Sequence, residues 1–273
     1  MAKVLLSFDT EEFDVPREHG VDFTLADGMG VSVIGTRRIL DVLKSNGVRA
    51  TFFCTGNFAV EAPDMMHRIM DEGHEVACHG VDHWEPKPSD YVRSKEMVEG
   101  VTGLTVNGYR QPRMNNIDGA AIKAAGYRYN ASLNPGIVPG HYMHLNLPRT
   151  WFVSDGMMQI PASTTPWVRF PMFWLSLHWL PEWLYHYLTR QVLRHDGYFT
   201  TYFHPWEFYE LGEHPEMKMP LHTCHNSGQK MADRLDRLIK MLLRRGHEFI
   251  TYMEFALEKQ CAQNSGLLEA DEQ

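Results

Sequence analysis

Along the first half of the chain, short apolar runs alternate with stretches whose apolar positions recur at helical spacing. Lys3–Phe8 reads as a buried strand. Thr36–Asn46 reads as a helix, with Ile39, Leu40 and Leu43 on one face and Gly47 as its stop. Val48–Cys54 is a second strand. Pro63–Glu72 is a helix with Met66, Ile69 and Met70 inward, and Glu75–Cys78 is a third strand. Asn107–Arg110 and the apolar run Tyr198–Phe203 are further strands, and Asp118–Ala125 is a short capped helix. Near the C-terminus Met231, Leu235, Leu238 and Leu242 mark a helix, followed by a strand at Glu248–Tyr252. Strand–helix alternation predicts an α/β fold: a parallel sheet with helices outside, as a (β/α) barrel or an open doubly wound sheet. Neither GxGxxG nor GxxxxGK[ST] follows a strand, which disfavours the nucleotide-binding versions.

The stretch from about Pro135 to Leu193 breaks this rhythm, with seven prolines among many aromatics. It reads as an insertion in one domain spanning residues 1–273. Its longest apolar-aromatic run, Phe170–Leu188, is interrupted by two prolines, two histidines and a glutamate, so a membrane span is not expected. Contact with a membrane surface or a lipid carrier through residues 170–188 remains an expectation. The N-terminal run Val4–Phe8 is too short for a signal-peptide core, and the four cysteines form no disulfide framework, which together predict a cytoplasmic protein. At 273 residues the chain can bury a full core. A formal net charge of -8 excludes a general attraction to nucleic acid. The 15 histidines suggest metal or proton-transfer chemistry without locating it.

Four clusters could carry that chemistry. Asp9, Glu11, Glu12 and Asp14 follow the first strand, and carboxylates so close repel one another unless a cation offsets them. His79 and His83, spaced i, i+4 after the third strand, can present two imidazoles to one ion. Two imidazoles and a carboxylate leave positions for water and substrate. Arg110, leaving the next strand, can pin a carboxylate by a bidentate contact. His204 leaves a late strand beside an aromatic shelf and suits a general acid.

Taken in order, these clusters resemble the motif set of the polysaccharide deacetylases, carbohydrate esterase family 4, also called the NodB-homology family. The segments that carry the resemblance are Val48–Phe53, Gly73–His83, Arg110–Pro112, Gly126–Leu133 and Tyr202–Phe208. The last, with the aromatic run before it, is most similar to an exopolysaccharide-biosynthesis subgroup. The resemblance implies a distorted (β/α)7-type barrel and metal-dependent removal of an N-acyl group, N-acetyl above all, from an amino sugar or polysaccharide precursor. It implies Asp9 as the general base, Arg110 as the residue orienting it, and His204 as the acid protonating the leaving amine. His79 and His83 would bind a divalent ion, zinc being expected. Glu11 is the expected third ligand, with Glu12 and Asp9 as alternatives. Arg113, Trp84, Trp206 and Asn130 would face the substrate.

The chain departs from the common pattern at Thr10, which interrupts an Asp-Asp pair, at Arg113, where an aromatic is usual, and at Asn130, where an acid is usual. Arg113 suggests a substrate with an anionic group. Two other functions fit the same sequence. One is hydrolysis of another non-peptide C–N bond, allantoinase-like or an amino-sugar deformylase. The other is an inactive carbohydrate-binding homologue.

Overall fold

A computed structural model describes residues 1–87, 89–114, 116–138 and 142–271. Strand β1, Lys3–Thr10, lies between later strands and is buried almost throughout. Beside it run β2 (Thr51–Cys54), β3 (Glu75–Cys78), β4 (Gly108–Tyr109) and β5 (Tyr129–Asn130), all parallel. Ile137–Val138 (β6) and Tyr142–Met143 (β7) form a separate antiparallel pair in the insertion. Phe152–Ser154 (β8) and Met157–Gln159 (β9) make a hairpin whose second strand extends the main sheet beside β5. Tyr198–Phe203 (β10) pairs with β1 along its other edge, and Glu248–Phe249 (β11) pairs with Lys3 and Val4 below β2. The sheet curls into a half-barrel wrapped by helices, the distorted barrel expected.

Side-chain alternation divides the core in two. Val4, Leu6, Phe8, Phe52, Cys78, Tyr109 and Phe203 face the outer helices. Leu5, Phe53, Ala77 and Tyr129 face the barrel interior, where Tyr252 and Phe255 of the helix beginning at Tyr252 plug one end. Each fully buried aromatic contributes about 1.5–3 kcal/mol. The same parity decides the chemistry. Asp9 continues the Leu5 face, and His79, Arg110 and His204 follow the outward-facing Cys78, Tyr109 and Phe203. All four therefore enter the interior at the C-terminal ends of parallel strands, where such folds place their sites.

One helix is longer than its sequence pattern predicts. It runs Leu25–Asn46, opened by a reciprocal Thr24–Asp27 capping box and closed by Gly47 in the left-handed conformation. Two glycines within it permit close packing. A Cβ on Gly28 would lie 2.3 Å from the Phe13 carbonyl oxygen, and one on Gly35 would lie 1.8 Å from that of Pro205. This helix thus braces both the acidic loop and the turn carrying His204. Similarly, Glu248–Tyr252 is not one strand: pairing stops at Phe249, and Tyr252 begins a helix. Among the described residues no helix is long and apolar enough to cross a membrane. In the aromatic insertion, Trp174–Trp179 and Glu182–Asp196 are helices that turn Phe173 and Trp174 toward a cleft and leave Trp179 and Trp183 exposed.

Candidate active site

The acidic segment after β1 sorts its carboxylates by direction. The strand carries Asp9 inward, where its Oδ1 accepts from the buried Arg110 guanidinium. Burial pushes the Asp9 carboxyl up, and Arg110, His79 and His204 together pull it below its ordinary value. Arg110 is held in turn by the Ala131 carbonyl at 3.1 Å and the Tyr252 hydroxyl at 3.2 Å, with Phe53 against its guanidinium. Glu12 turns away from the cleft. Its Oε2 accepts from Thr55 at 2.7 Å, and its Oε1 accepts from the His83 backbone N–H at 3.0 Å and from Asn57 at 3.3 Å. Glu12 therefore shapes the histidine loop.

Glu11 faces the two histidines. The ligand atoms of Glu11, His79 and His83 lie within 4.8 Å of one another. Both rings are tied back at Nδ1. His79 Nδ1 donates to the Arg110 carbonyl at 2.9 Å, and His83 Nδ1 lies 2.9 Å from Asp14 Oδ2. This leaves both Nε2 atoms facing Glu11 Oε2, at 3.2 and 3.3 Å. That oxygen is buried and has no hydrogen-bond partner among the described residues. A carboxylate oxygen meeting two imidazole nitrogens already anchored from behind fits a divalent cation, and the anchors are the outer-shell groups such a site uses. Burial lowers the His83 pKa, and Glu11 and Asp14 outweigh it, raising the ring to about 9.

The cleft beside this group has a volume of about 610 Å³, a size suited to a small ligand or a sugar unit. Asp9, Glu11, His79, His83 and His204 line it, with Phe173, Trp174, Tyr202 and Trp206 forming an aromatic side. His204 Nε2 lies 4.0 Å from Asp9 Oδ2. Its Nδ1 is 2.9 Å from Glu207 Oε1, and its ring stacks on Trp206 at 5.0 Å. Burial disfavours charge on His204, but the bond to Glu207 and the nearby Glu11 and Asp9 carboxylates raise its pKa.

Of the four residues expected at the substrate, Arg113 and Trp206 border the cleft and Trp84 and Asn130 do not. Trp84 lies outside the cleft with the guanidinium of Arg17 4.4 Å from its ring centroid, and it borders a neighbouring acidic depression. Asn130 is fully buried: it donates to Gln159 at 2.7 Å and accepts from the Ser132 backbone N–H and hydroxyl. The hydrogen bond to His204 comes from Glu207 instead. Arg113 borders the cleft, but its guanidinium is committed to Glu18 at 2.5 Å, Asp14 at 3.3 Å and the His83 carbonyl at 3.2 Å. It clamps the histidine loop from a left-handed backbone position, φ 57°. Trp206 does line the cleft, stacked on His204. The sequence points to Asp14 only as part of the acidic cluster and to Glu207 not at all, although Glu207 stands one turn after His204, a spacing that could have revealed it.

Comparison with known proteins gives a consistent result. A family model for polysaccharide deacetylase matches residues 15–130, which contain His79, His83 and Arg110. The peptidoglycan deacetylase of Helicobacter pylori is 25% identical over 154 residues, 53% of this chain and 52% of that protein. The peptidoglycan-N-acetylmuramic acid deacetylase of Bacillus subtilis is 36% identical over 84 residues, 28% of this chain and 32% of that protein. The chain thus matches about half the length or less of these curated relatives. A solved Mycobacterium smegmatis protein, assigned as a polysaccharide deacetylase, has the same fold. Its TM-score is 0.67 over 96% of this chain and 91% of its own, at 17% identity.

Proposed function

The chain belongs to the polysaccharide deacetylase family, and on that premise we propose that it is a divalent-metal-dependent hydrolase removing an N-acetyl group from an amino sugar of a glycan or glycan precursor. The observation that carries this reading is the meeting of Glu11, His79 and His83 in the cleft that also holds Asp9 and His204. A bound divalent ion, zinc by preference for two imidazoles and one carboxylate, supplies Lewis acidity to the acyl oxygen and to an attacking water.

The chain's own groups divide the proton transfers. Asp9, kept anionic by Arg110, has Oδ2 free of that pair to accept a proton from the attacking water. His204, its Nδ1 turned back to Glu207, presents Nε2 to the cleft and gives its proton to the departing amine. The 4.0 Å between Asp9 Oδ2 and His204 Nε2 lets base and acid serve one reacting centre from neighbouring strands. Phe173, Trp174 and Tyr202 offer ring faces to a sugar.

The test is acetate release from N-acetylglucosamine oligomers and peptidoglycan fragments. Release that stops on chelation, returns with zinc and is lost in His79→Ala supports the reading. Formate release from an N-formylated amino sugar, or cleavage of a ureide, without acetate release would move the assignment to another C–N bond. Carbohydrate binding without metal uptake would leave a binding protein.

A further inference from the structure

The aromatic insertion buries a histidine that the scheme above does not use. His178, on the helix Trp174–Trp179, is fully buried. Its Nδ1 lies 2.5 Å from the His225 carbonyl oxygen and its Nε2 lies 3.0 Å from Glu207 Oε2. A carbonyl oxygen accepts and never donates, so Nδ1 carries a hydrogen. A neutral ring so oriented would point the Nε2 lone pair at a carboxylate oxygen, two acceptors face to face inside the core. A second proton therefore lies between Nε2 and Oε2. Whether the pair is imidazolium with carboxylate or imidazole with carboxylic acid, it is neutral overall.

The other Glu207 oxygen serves His204. Oε1 accepts from the His204 backbone N–H at 2.6 Å and meets Nδ1 at 2.9 Å. Three side chains thus stand in line, the fully buried His178 and Glu207 and the partly buried His204, ending at the Nε2 that faces Asp9. The backbone locks the line from outside. Asn226 donates to the His178 carbonyl at 2.7 Å, and the Gly228 N–H donates to the Glu207 carbonyl at 2.8 Å.

We propose that His178 is a positioning residue of this site: through Glu207 it fixes the His204 ring and shares the Glu207 charge, so that His204 can release its proton. The proposal rests on His204 being the proton donor of an N-deacylase. Its physical content is a charge count. With His178 present, His204 faces a neutral pair in addition to Asp9 and Glu11. Without His178, a whole buried carboxylate faces it and holds its proton more tightly. Other ionisable groups packed around the line are Tyr185, Arg234 and Tyr202, whose ring lies 5.8 Å from that of His204; the Arg234 guanidinium is engaged with the Leu177 and Leu180 carbonyls at 2.9 and 2.6 Å.

Two measurements on the purified protein test this. The first is the pH profile of kcat/KM for acetate release, whose alkaline limb reports loss of the His204 proton. The second, independent of turnover, is NMR titration of the His204 ring in histidine-labelled protein. In His178→Leu both should move up by about one pH unit, and in Glu207→Gln both should move down. A merely structural role for His178 would lower the melting temperature without the upward shift. His178→Gln keeps a donor toward Glu207 but cannot hold the extra proton, and it decides the matter if the leucine variant does not fold; its upward shift supports the proposal. Both readouts unchanged in His178→Gln would overturn it. A ring shift in protein that releases no acetate from any substrate would leave the coupling standing and remove the deacylase reading.

Discussion

Replacing Arg110 by methionine keeps much of the side-chain volume and removes the counter-ion of the buried Asp9 carboxylate. Arg110 and Asp9 are 1% and 3% exposed, so water cannot take the place of the lost guanidinium. Removing one partner of such a pair costs about 3–5 kcal/mol, because the survivor is left as an uncompensated charge. The Ala131 carbonyl loses its 3.1 Å donor as well, adding about 1 kcal/mol. At roughly 2–4 °C per kcal/mol for a chain of this size, melting should fall by about 8–24 °C. The diagnostic step is the second substitution. Asp9→Asn placed on Arg110→Met removes the stranded charge and should restore about 2 kcal/mol, giving a large coupling in the double-mutant cycle. Urea denaturation followed by circular dichroism, with chelator present so that no bound metal contributes, measures all four corners. A loss below about 1 kcal/mol for Arg110→Met, or a double variant less stable than that single one, would refute the reasoning. In the active enzyme the same variant should move the acid limb of the rate upward, since burial would then dominate the Asp9 carboxyl.

Four further outcomes are expected. Asp14→Asn, which withdraws a carboxylate from behind His83, should weaken zinc binding about 10–100-fold in chelator competition while leaving the fold intact. In the parent, zinc affinity should fall with pH below about 9, because a proton competes for the His83 ring. His74 is held neutral, its pKa lowered from 6.5 to about 4 by burial, with Arg49 and Arg68 adding to the effect. Its contribution is complete above pH 6.5 and is lost as pH falls toward 4, by about 3 kcal/mol in total. His74→Asn, which cannot titrate, should flatten that arm of the stability–pH curve. Gly35→Ala should cost about 1–3 kcal/mol and reduce turnover, since its Cβ would meet the Pro205 carbonyl oxygen at 1.8 Å beside His204; a full-activity alanine variant would contradict this packing.

Much of the scaffold was legible from periodicity. Glu75–Cys78 and Tyr198–Phe203 are strands with the limits their runs predict, because both faces of such strands are covered and, Glu75 apart, every position is buried and uncharged. Periodicity predicts a helix only over Thr36–Asn46, whereas it begins at Leu25, where Gly28 and Gly35 are locally unfavourable but let the chain at residues 13 and 205 pack close. The same division runs through the site. The short loop between His79 and His83 keeps them together whatever the rest of the chain does, so they were visible as a pair.

The sequence by itself determined which residues leave the strand ends and, through two-residue alternation, which of them point inward. It could not determine what each side chain would meet there. Asp9 finds Arg110 across 101 residues of chain, Arg113 spends its donors on Asp14 and Glu18, and Asn130 is sealed beneath Gln159. Glu11 rather than Glu12 faces the histidines because Thr55 and Asn57, from the turn after β2, draw Glu12 away. His178 meets Glu207 only because the aromatic insertion folds back over the strand that carries His204. Direction along a strand is a local property of the backbone, whereas hydrogen-bond partners are supplied by elements distant in sequence, so the partners were decided by the tertiary structure.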